Sequence, residues 1–437
     1  MLNYCSSCFG RMTSCGKLFW VVYFITVALP LHASNNFLTW ITIRSSYTWV
    51  HLVLLGLFFV ACLRPLGTGK VSAVNLLCLA FVAVQLPAVL FGFKYIDDGL
   101  FFDLGRYLLA VLFLVLARTK RFGEVDLRFF FYMSLMATLI NCCISVVMNT
   151  TKWSIWGLLY FNYDNRNGGG YINLLSFMIP YALHCVLNGG KNVKRSFFIA
   201  LLVTGFITML YAKSRAAIML AAAGCCVVLV LNTINVKGRT YGYRFLTSVT
   251  VFFFGVYLAG AFLGGGSDLA DHILSGTNSF TDNSDTLFTR IVTSSYYLAR
   301  IIENPLGYGF GSTMGLFNDA GVWDYGSIGY NIDNAPVTFG YKTGLVGLIV
   351  YLLVSLAPFV LLFKSKTVPK NQKFTISVCY ALVLISTYLM TAQCIHNYPV
   401  VAFFWTFIGL MFAGTPYCLE SPGDPADWPK GELRVRR

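Results

Sequence analysis

Long apolar runs recur along the whole chain and are separated by short polar segments. A run of about 20 apolar residues crosses the ~30 Å hydrocarbon core of a bilayer as an α-helix, which satisfies its own backbone hydrogen bonds there. The pattern therefore predicts an all-α polytopic membrane protein with about 12 transmembrane helices. Their predicted ranges are 18–34, 48–63, 71–93, 100–117, 128–149, 171–188, 196–212, 215–232, 245–263, 341–363, 374–391 and 397–414.

One long polar segment interrupts this pattern, roughly from Gly264 to Phe339. We therefore divide the chain into four parts: predicted helices one to nine (1–263), a loop with short helices and the candidate functional elements (264–340), three further predicted helices (341–415) and a tail (416–437). The tail is polar and proline-rich, which predicts disorder. We expect function to lie in the loop and on the helix ends that face it.

Composition and charge support a membrane protein. Hydrophobic residues make up 57% of the chain and charged residues 11%, about half the charged share of a soluble protein. Twelve spans place both termini on one side, and if that side is the cytoplasm, the inner segments hold 22 of the 32 Lys and Arg residues. This distribution satisfies the positive-inside rule. The net charge of +14 then follows largely from topology, and no nucleic-acid partner is predicted.

The thirteen cysteines do not indicate a disulfide framework, because most lie in or beside apolar runs, where cysteine behaves as a small hydrophobe. Cys5 and Cys8 form a CxxC pair, but no further ligands with metal-site spacing accompany them. The five histidines are scattered, and we interpret Asp97-Asp98 as a loop cap. We expect no metal or other cofactor.

Basic residues on the predicted outer side are the first candidate site residues, because the positive-inside rule disfavours them there. Arg215 opens a predicted helix in the sequence AKSRAA, two residues after Lys213. A helix N-terminus favours an anion, and a guanidinium suits bidentate binding of phosphate. Arg290 and Arg300 repeat the pattern in the long loop. The alternative is that these side chains only extend to the lipid headgroups.

Two further groups combine charge with unusual surroundings. Asn165, Arg166 and Asn167 precede a triple glycine and could contact sugar hydroxyls or phosphate, although an ordinary loop explains the pattern equally well. Asp103 and Arg106 lie in a predicted span, where a charge exposed to lipid costs ~3 kcal/mol. We therefore expect them to face a polar cavity or to pair with each other.

Two motifs flank the downstream half of the long loop. In ENPLGYGFG (303–311), Asn304-Pro305 is predicted to end a helix, and the alternating glycines and aromatics predict a tight turn that faces lipid or sugar. Asp333-Asn334 precedes GLVG at 344–347. A carboxylate near the membrane boundary could act as a base toward a hydroxyl.

These motifs, in this order, resemble the O-antigen ligase and polymerase superfamily. The resemblance is carried by the KSRAA helix start, the loop arginine, ENPLGYGFGS and the Asp333-Asn334 pair before GLVG. It covers roughly the C-terminal half of the chain, and FNYDNRNGGG (161–170) is similar to an upstream asparagine-containing segment of the family.

The resemblance implies a GT-C-like fold in the bacterial inner membrane, with both termini cytoplasmic and the active site facing the periplasm. It implies a metal-independent glycosyltransferase whose partners are an undecaprenyl-pyrophosphate-linked glycan donor, a glycan acceptor, the lipid bilayer and, as a further candidate, a chain-length regulator protein. Arg215 and Arg290 match the arginines that the family assigns to the pyrophosphate. The remaining substrate-binding candidates are Arg106, Asn165, Arg166, Asn167, Lys213, Arg300 and Asn334.

One departure separates the two activities of the family. The pattern that resembles this chain has His-Asn in the ligases, at the position of Asp333-Asn334. The resemblance therefore favours a polymerase that extends repeat-unit glycans, with Asp333 as the candidate base. The alternative is a ligase that transfers glycan to lipid A-core. A lipid-linked glycan flippase or transporter, or a structural partner, fits less well, because transporters usually show internal repeats and polar residues near the bilayer midplane.

Overall fold

The computed structural model describes residues 2–29, 49–62, 73–96, 99–119, 125–151, 172–188, 195–211, 215–235, 286–317, 323–329, 332, 334–387 and 398–415. Four helices in these ranges are long and apolar enough to cross a membrane: Ala73–Tyr95, Gly99–Arg118, Leu127–Val147 and Ala335–Lys364. Seven shorter apolar helices accompany them. The chain is therefore a predominantly helical membrane protein, as the hydrophobic pattern predicts.

The elements follow one another in a simple order. The helices are α1 (Leu2–Gly10), α2 (Ser14–Ala28), α3 (Trp49–Cys62), α4 (Ala73–Ala83), α5 (Gln85–Gly92), α6 (Gly99–Arg118), α7 (Leu127–Thr151), α8 (Ile172–Asn188), α9 (Arg195–Tyr211), α10 (Arg215–Asn235), α11 (Thr286–Glu303), α12 (Ala335–Lys364), α13 (Lys370–Ile385) and α14 (Tyr398–Phe412). Two strands, β1 (Met314–Phe317) and β2 (Trp323–Gly329), lie between α11 and α12.

Eleven of the twelve predicted spans coincide with an apolar helix of the described residues. The predicted span 245–263, the loop portion 264–285 and the tail 416–437 lie outside them. Within the described residues, the predicted span 71–93 consists of α4 and α5, separated at Val84 and followed by one short turn of 3₁₀-helix. The number of membrane crossings stays a prediction.

Helix α14 forms the centre of the bundle. All fifteen of its residues are buried, as expected for a helix that is apolar on every side. Its Trp405 stacks on Phe81 of α4 with ring centroids 4.7 Å apart. Gly409 allows α6 to approach closely, because a Cβ at this position would lie 2.5 Å from the carbonyl oxygen of Leu114. The core thus depends on close packing of α14 against its neighbours.

Polar contacts at the two ends of the bundle indicate that α3, α6 and α14 run in one direction and that α4 runs in the opposite one. At one end, His51 near the start of α3 is hydrogen-bonded through Nε2 to the carbonyl oxygen of Gly105, 2.8 Å away, near the start of α6. The His51 ring also meets Tyr398 edge-on, at the start of α14. At the other end, Arg118 at the close of α6 donates to Asn75 at the start of α4. This arrangement is the one that short connections between successive spans require.

The N-terminal helix α1 docks at the second of these ends. The Tyr4 hydroxyl donates to the carboxylate of Asp126, which precedes α7, and burial together with this carboxylate raises the pKa of Tyr4 far above its usual value. Burial also raises the pKa of the Cys5 thiol to about 12, so this thiol is protonated at neutral pH. The cysteines of the described ranges are all free.

The long loop carries more regular structure than the sequence pattern predicts. Helix α11 spans 18 residues, and the two strands pair in antiparallel fashion, with Phe317 opposite Trp323. Helix α12 begins at Ala335, before its predicted span, and is kinked at Gly344, where φ is 85° and ψ is −177°. The kink separates a short leading segment from the membrane-spanning part of α12.

Candidate functional site

The segment that follows α11 is a tight turn built by asparagine, proline and glycine. The helix ends at Glu303, as Asn304-Pro305 predicts. The Asn304 side chain then donates to the carbonyl oxygen of Gly307 at 3.0 Å, and the Gly307 N–H donates back to the carbonyl oxygen of Asn304 at 3.0 Å. This reciprocal pair fixes the direction in which the chain leaves α11.

Glycines at 307, 309 and 311 let this turn enter the helical bundle. Their φ values are 83°, 91° and 84°, in the left-handed region that favours glycine. A Cβ at Gly309 would lie 2.7 Å from the backbone nitrogen of Gly92, and one at Gly311 would lie 2.5 Å from that of Leu100. The turn is therefore wedged between α5, α6 and α12.

The prediction that this turn faces lipid or sugar is wrong for four of its nine residues. Gly307, Gly309 and Gly311 are buried, and Phe310 is fully buried with its ring stacked on Tyr107 at 4.7 Å. The close backbone contacts explain the spacing, because only glycine fits at each alternate position. The alternating glycines do mark a tight turn, but they pack against other helices of the protein and not against lipid or sugar.

Backbone hydrogen bonds exchange between the turn and the kink of α12. The N–H of Tyr308 donates to the carbonyl oxygen of Tyr341 at 2.9 Å, and that of Gly309 donates to Lys342 at 3.0 Å. In return, Leu345 donates to the carbonyl oxygen of Pro305 at 2.9 Å. Groups that a straight helix would pair internally are thus paired with the turn, which satisfies the buried backbone.

A buried ion pair lies behind the turn. The ammonium of Lys342 on α12 contacts the carboxylate of Asp103 on α6, and both side chains are almost fully buried. The same carboxylate oxygen accepts the N–H of Gly311 at 2.7 Å, while Lys342 also donates to the carbonyl oxygen of Ser312 at 3.4 Å. Asp103 therefore connects α6, α12 and the turn. Further hydrogen bonds of this kind are what make a buried pair tolerable.

This arrangement gives Asp103 an ion-pair partner that the sequence did not predict. The ion-pair partner of Asp103 is Lys342, and the guanidinium of Arg106 lies over the ring of Phe102, 3.5 Å from its centroid. Arg106 is one turn further into α6. The sequence pattern alone did not single out Lys342, although a lysine directly before the glycine-containing segment 344–347 was a usable signal.

Tyrosines surround the same turn. Tyr308 stacks on Tyr341 with centroids 4.4 Å apart, and Tyr297 of α11 meets Tyr341 edge-on at 4.9 Å. The Tyr297 hydroxyl accepts from the N–H of Gly315 at 2.6 Å, at the start of β1. Aromatic pairs of this geometry add stabilisation beyond the area that they bury. They join α11, the turn, β1 and α12 into one unit.

Asn334 joins this unit as the N-cap of α12. Its side-chain oxygen accepts from the N–H of Val337 at 3.1 Å, the hydrogen bond of an N-cap residue. Its amide nitrogen lies 3.3 Å from the hydroxyl oxygen of Ser294 on α11 and donates to it. The start of α12 is thereby held against the middle of α11. Asp333, the candidate base, lies outside the described residues.

The two arginines of α11 lie on different faces. Arg290 is half-buried and lies one helical turn before Ser294, on the side that turns toward α12. Arg300 is exposed, donates to the Tyr296 hydroxyl at 2.9 Å and pairs with Glu303 at 2.9 Å. The hydrogen bond to Tyr296 and the neighbouring Glu303 raise the pKa of Arg300. Of the two arginines, Arg290 is the one that shares a helix face with Ser294, the partner of Asn334.

The other candidates are only partly described. Arg215 is the first residue of α10, as predicted, and its side chain lies outside the described part of the chain. The same holds for Lys213 and for the group formed by Asn165, Arg166 and Asn167.

Comparison with known protein families and with curated proteins found no match for this chain. The family resemblance therefore depends on the residues and motifs that carry it.

Proposed function

We propose that this protein is a glycosyltransferase that polymerises undecaprenyl-pyrophosphate-linked oligosaccharide repeat units at the outer face of a bacterial inner membrane. In this proposal the chain has 12 membrane spans in a GT-C-like fold, both termini are cytoplasmic, and the unit formed by α11, the turn and α12 faces the periplasm. The alternation of helix directions at the two ends of the bundle supports this topology.

One observation carries the proposal most strongly: the hydrogen bond from Asn334 to Ser294. It holds the residue that follows Asp333 within one helical turn of Arg290 along α11. Asn334, the chain neighbour of the candidate base, is thereby held to the helix that carries Arg290, a candidate anion-binding group. General-base catalysis needs this kind of proximity.

The proposed reaction assigns a distinct role to each group. An acceptor sugar hydroxyl attacks the anomeric carbon of the lipid-linked donor and loses its proton to the carboxylate of Asp333. The new glycosidic bond forms as the bond from the anomeric carbon to the pyrophosphate oxygen breaks. Arg215 and Arg290 stabilise the negative charge that develops on the departing pyrophosphate, a task to which preorganised cations contribute strongly in a site with little water.

Reconstitution tests the function directly. Purified protein in nanodiscs is incubated with lipid-linked repeat units extracted from the source cells, and the glycans are separated by size. The proposal predicts a ladder of longer lipid-linked glycans. A single transfer onto added lipid A-core would instead identify a ligase. In a parallel reconstitution into vesicles, movement of the lipid between the two leaflets without glycan growth would identify a flippase.

Two substitutions separate the proposed roles within this assay. Asp333→Asn removes the base while keeping size and polarity, and we expect chain growth to fall by ~10²–10⁴-fold, the usual contribution of general-base catalysis. Retention of full chain growth by Asp333→Asn, together with its loss in Arg290→Ala, would eliminate the base role and leave the arginine role in place.

A further inference from the structure

Helix α11 has three distinct faces along its length. One face is buried against the rest of the protein and contains Thr293, Tyr297 and Ile301, which are 1%, 5% and 1% exposed. These residues are spaced four apart, so they lie on one side of the helix. This face packs against α12 and β1. It accounts for only part of the apolar surface of α11.

A second face is apolar and exposed. Ile291, Leu298 and Ile302 are 55%, 39% and 71% exposed, and their spacing of seven and four residues places them in a narrow stripe. A third face is polar and carries Arg300 and Glu303, which pair with each other. At 100° per residue, Glu303 lies roughly a third of a turn from this stripe, and Arg300 lies nearly half a turn from it. Such a helix suits the boundary between hydrocarbon and water.

The apolar stripe continues onto a helix of membrane-spanning length. Leu306, directly after α11, is 66% exposed. The hydrogen bond from Leu345 to Pro305 places the turn beside the kink of α12. From there, exposed apolar side chains follow α12 at helical spacing: Val346, Ile349, Leu353, Leu356, Val360 and Phe363. Because Ala335–Lys364 is a candidate membrane span, this row is its lipid-facing side.

We propose that α11 is an interfacial helix whose stripe of Ile291, Leu298, Ile302 and Leu306 inserts into the acyl boundary of the bilayer. The occupant of this surface is membrane lipid, because the stripe is continuous with the lipid-facing side of α12. Arg300 and Glu303 then lie at the level of the headgroups, where a charged pair remains hydrated.

This placement has a consequence for Arg290, and that consequence rests on the proposed function. Arg290 lies on the same helix, so its guanidinium is held near the depth of the lipid phosphates. A pyrophosphate attached to a polyprenyl chain occupies that depth, and Arg290 would reach it without extraction of the lipid. The interfacial placement itself does not depend on the glycan chemistry.

Site-specific photocrosslinking tests the placement. The variants Ile302→p-benzoylphenylalanine and Glu303→p-benzoylphenylalanine differ by one position, and both native side chains are exposed. Each purified variant is irradiated in nanodiscs of phosphatidylethanolamine and phosphatidylglycerol, and lipid adducts are measured by mass spectrometry. Ile349→p-benzoylphenylalanine on α12 gives the reference yield for a lipid-facing position.

We expect the variant at 302 to form acyl-chain adducts at a yield comparable to that at 349, and several-fold above that at 303. Equal low yields at 302 and 303 would overturn the proposal. Crosslinks from 302 to a second copy of the chain would also overturn it and would identify the stripe as a protein interface. This readout requires no glycan, so its failure is distinct from failure of the polymerisation assay.

Discussion

Helices α12 and α14 belong to the same bundle but differ in the kind of residue that they bury. Helix α14 is apolar on every side, and all fifteen of its residues are buried by close packing. Helix α12 contains the buried Lys342, is kinked at Gly344 and takes hydrogen bonds from the turn that follows α11. Packing of apolar side chains thus dominates around α14, while the candidate site adds charge and an irregular backbone. Both are costly, and such features cluster at functional sites.

The largest expected effect comes from breaking the ion pair on α12. Lys342→Met leaves the Asp103 carboxylate buried without its cation, and we expect a loss of ~3–5 kcal/mol in the free energy of unfolding. The double variant Asp103→Asn with Lys342→Met removes both charges and should recover much of this loss. Thermal unfolding in detergent measures the stability of both variants. The folded fraction at each temperature is read by size-exclusion chromatography with fluorescence detection.

Lys364→Met is the matched control for this prediction. It makes the same substitution at the other end of α12, where the side chain is exposed, so we expect a change within about 0.5 kcal/mol. If Lys342→Met were as stable as Lys364→Met, the buried ion pair could not be holding the turn.

The second prediction concerns packing of the central helix. In Gly409→Ala the new Cβ would lie 2.5 Å from the carbonyl oxygen of Leu114, and we expect a loss of ~1–3 kcal/mol from overpacking. In Gly56→Ala on α3 nothing lies within 4 Å of the new Cβ, so the better helix propensity of alanine should stabilise the protein by up to ~1 kcal/mol. Thermal unfolding of both variants should give opposite signs, and two losses of equal size would contradict the packing assigned to α14.

The smallest effect on stability is expected at the start of α12. Asn334→Ala removes the N-cap and should cost ~1 kcal/mol, and Thr13→Ala, which removes the N-cap of α2, should cost a similar amount. Of these two variants, only Asn334→Ala should slow glycan transfer beyond its effect on stability, because Asn334, unlike Thr13, holds the start of α12 to α11. Comparable transfer rates in the two variants, after correction for folded protein, would remove Asn334 from the site.

The sequence predicts the helices well because their signal is local. Eleven of the twelve predicted spans coincide with an apolar helix of the described residues, and four of these helices are long enough to cross a membrane. The end of α11 at Asn304-Pro305 and the start of α10 at Arg215 were predictable for the same reason. Proline and charge at a helix boundary act through their immediate neighbours.

The internal contacts of the candidate site were not predictable in this way. Asp103 and Lys342 are separated by 239 residues, so no local pattern connects them. The glycines of the turn were recognised as a turn, but the surface against which they pack comes from α5, α6 and α12. The two strands were missed because β1 is only four residues long. Long-range pairing decides each of these features, and it becomes visible only once the elements are placed.

The most direct measurement of the central claim compares the two arginines of α11 in the polymerisation assay. Arg290→Ala and Arg300→Ala make the same change on the same helix. Arg290 lies on the face toward α12, and Arg300 lies on the exposed face. If Arg290 stabilises the departing pyrophosphate, Arg290→Ala should lower kcat/KM by ~10²–10³-fold, while Arg300→Ala, whose partners are Tyr296 and Glu303, should lower it only slightly. Equal losses in the two variants, or a larger loss in Arg300→Ala, would contradict the account.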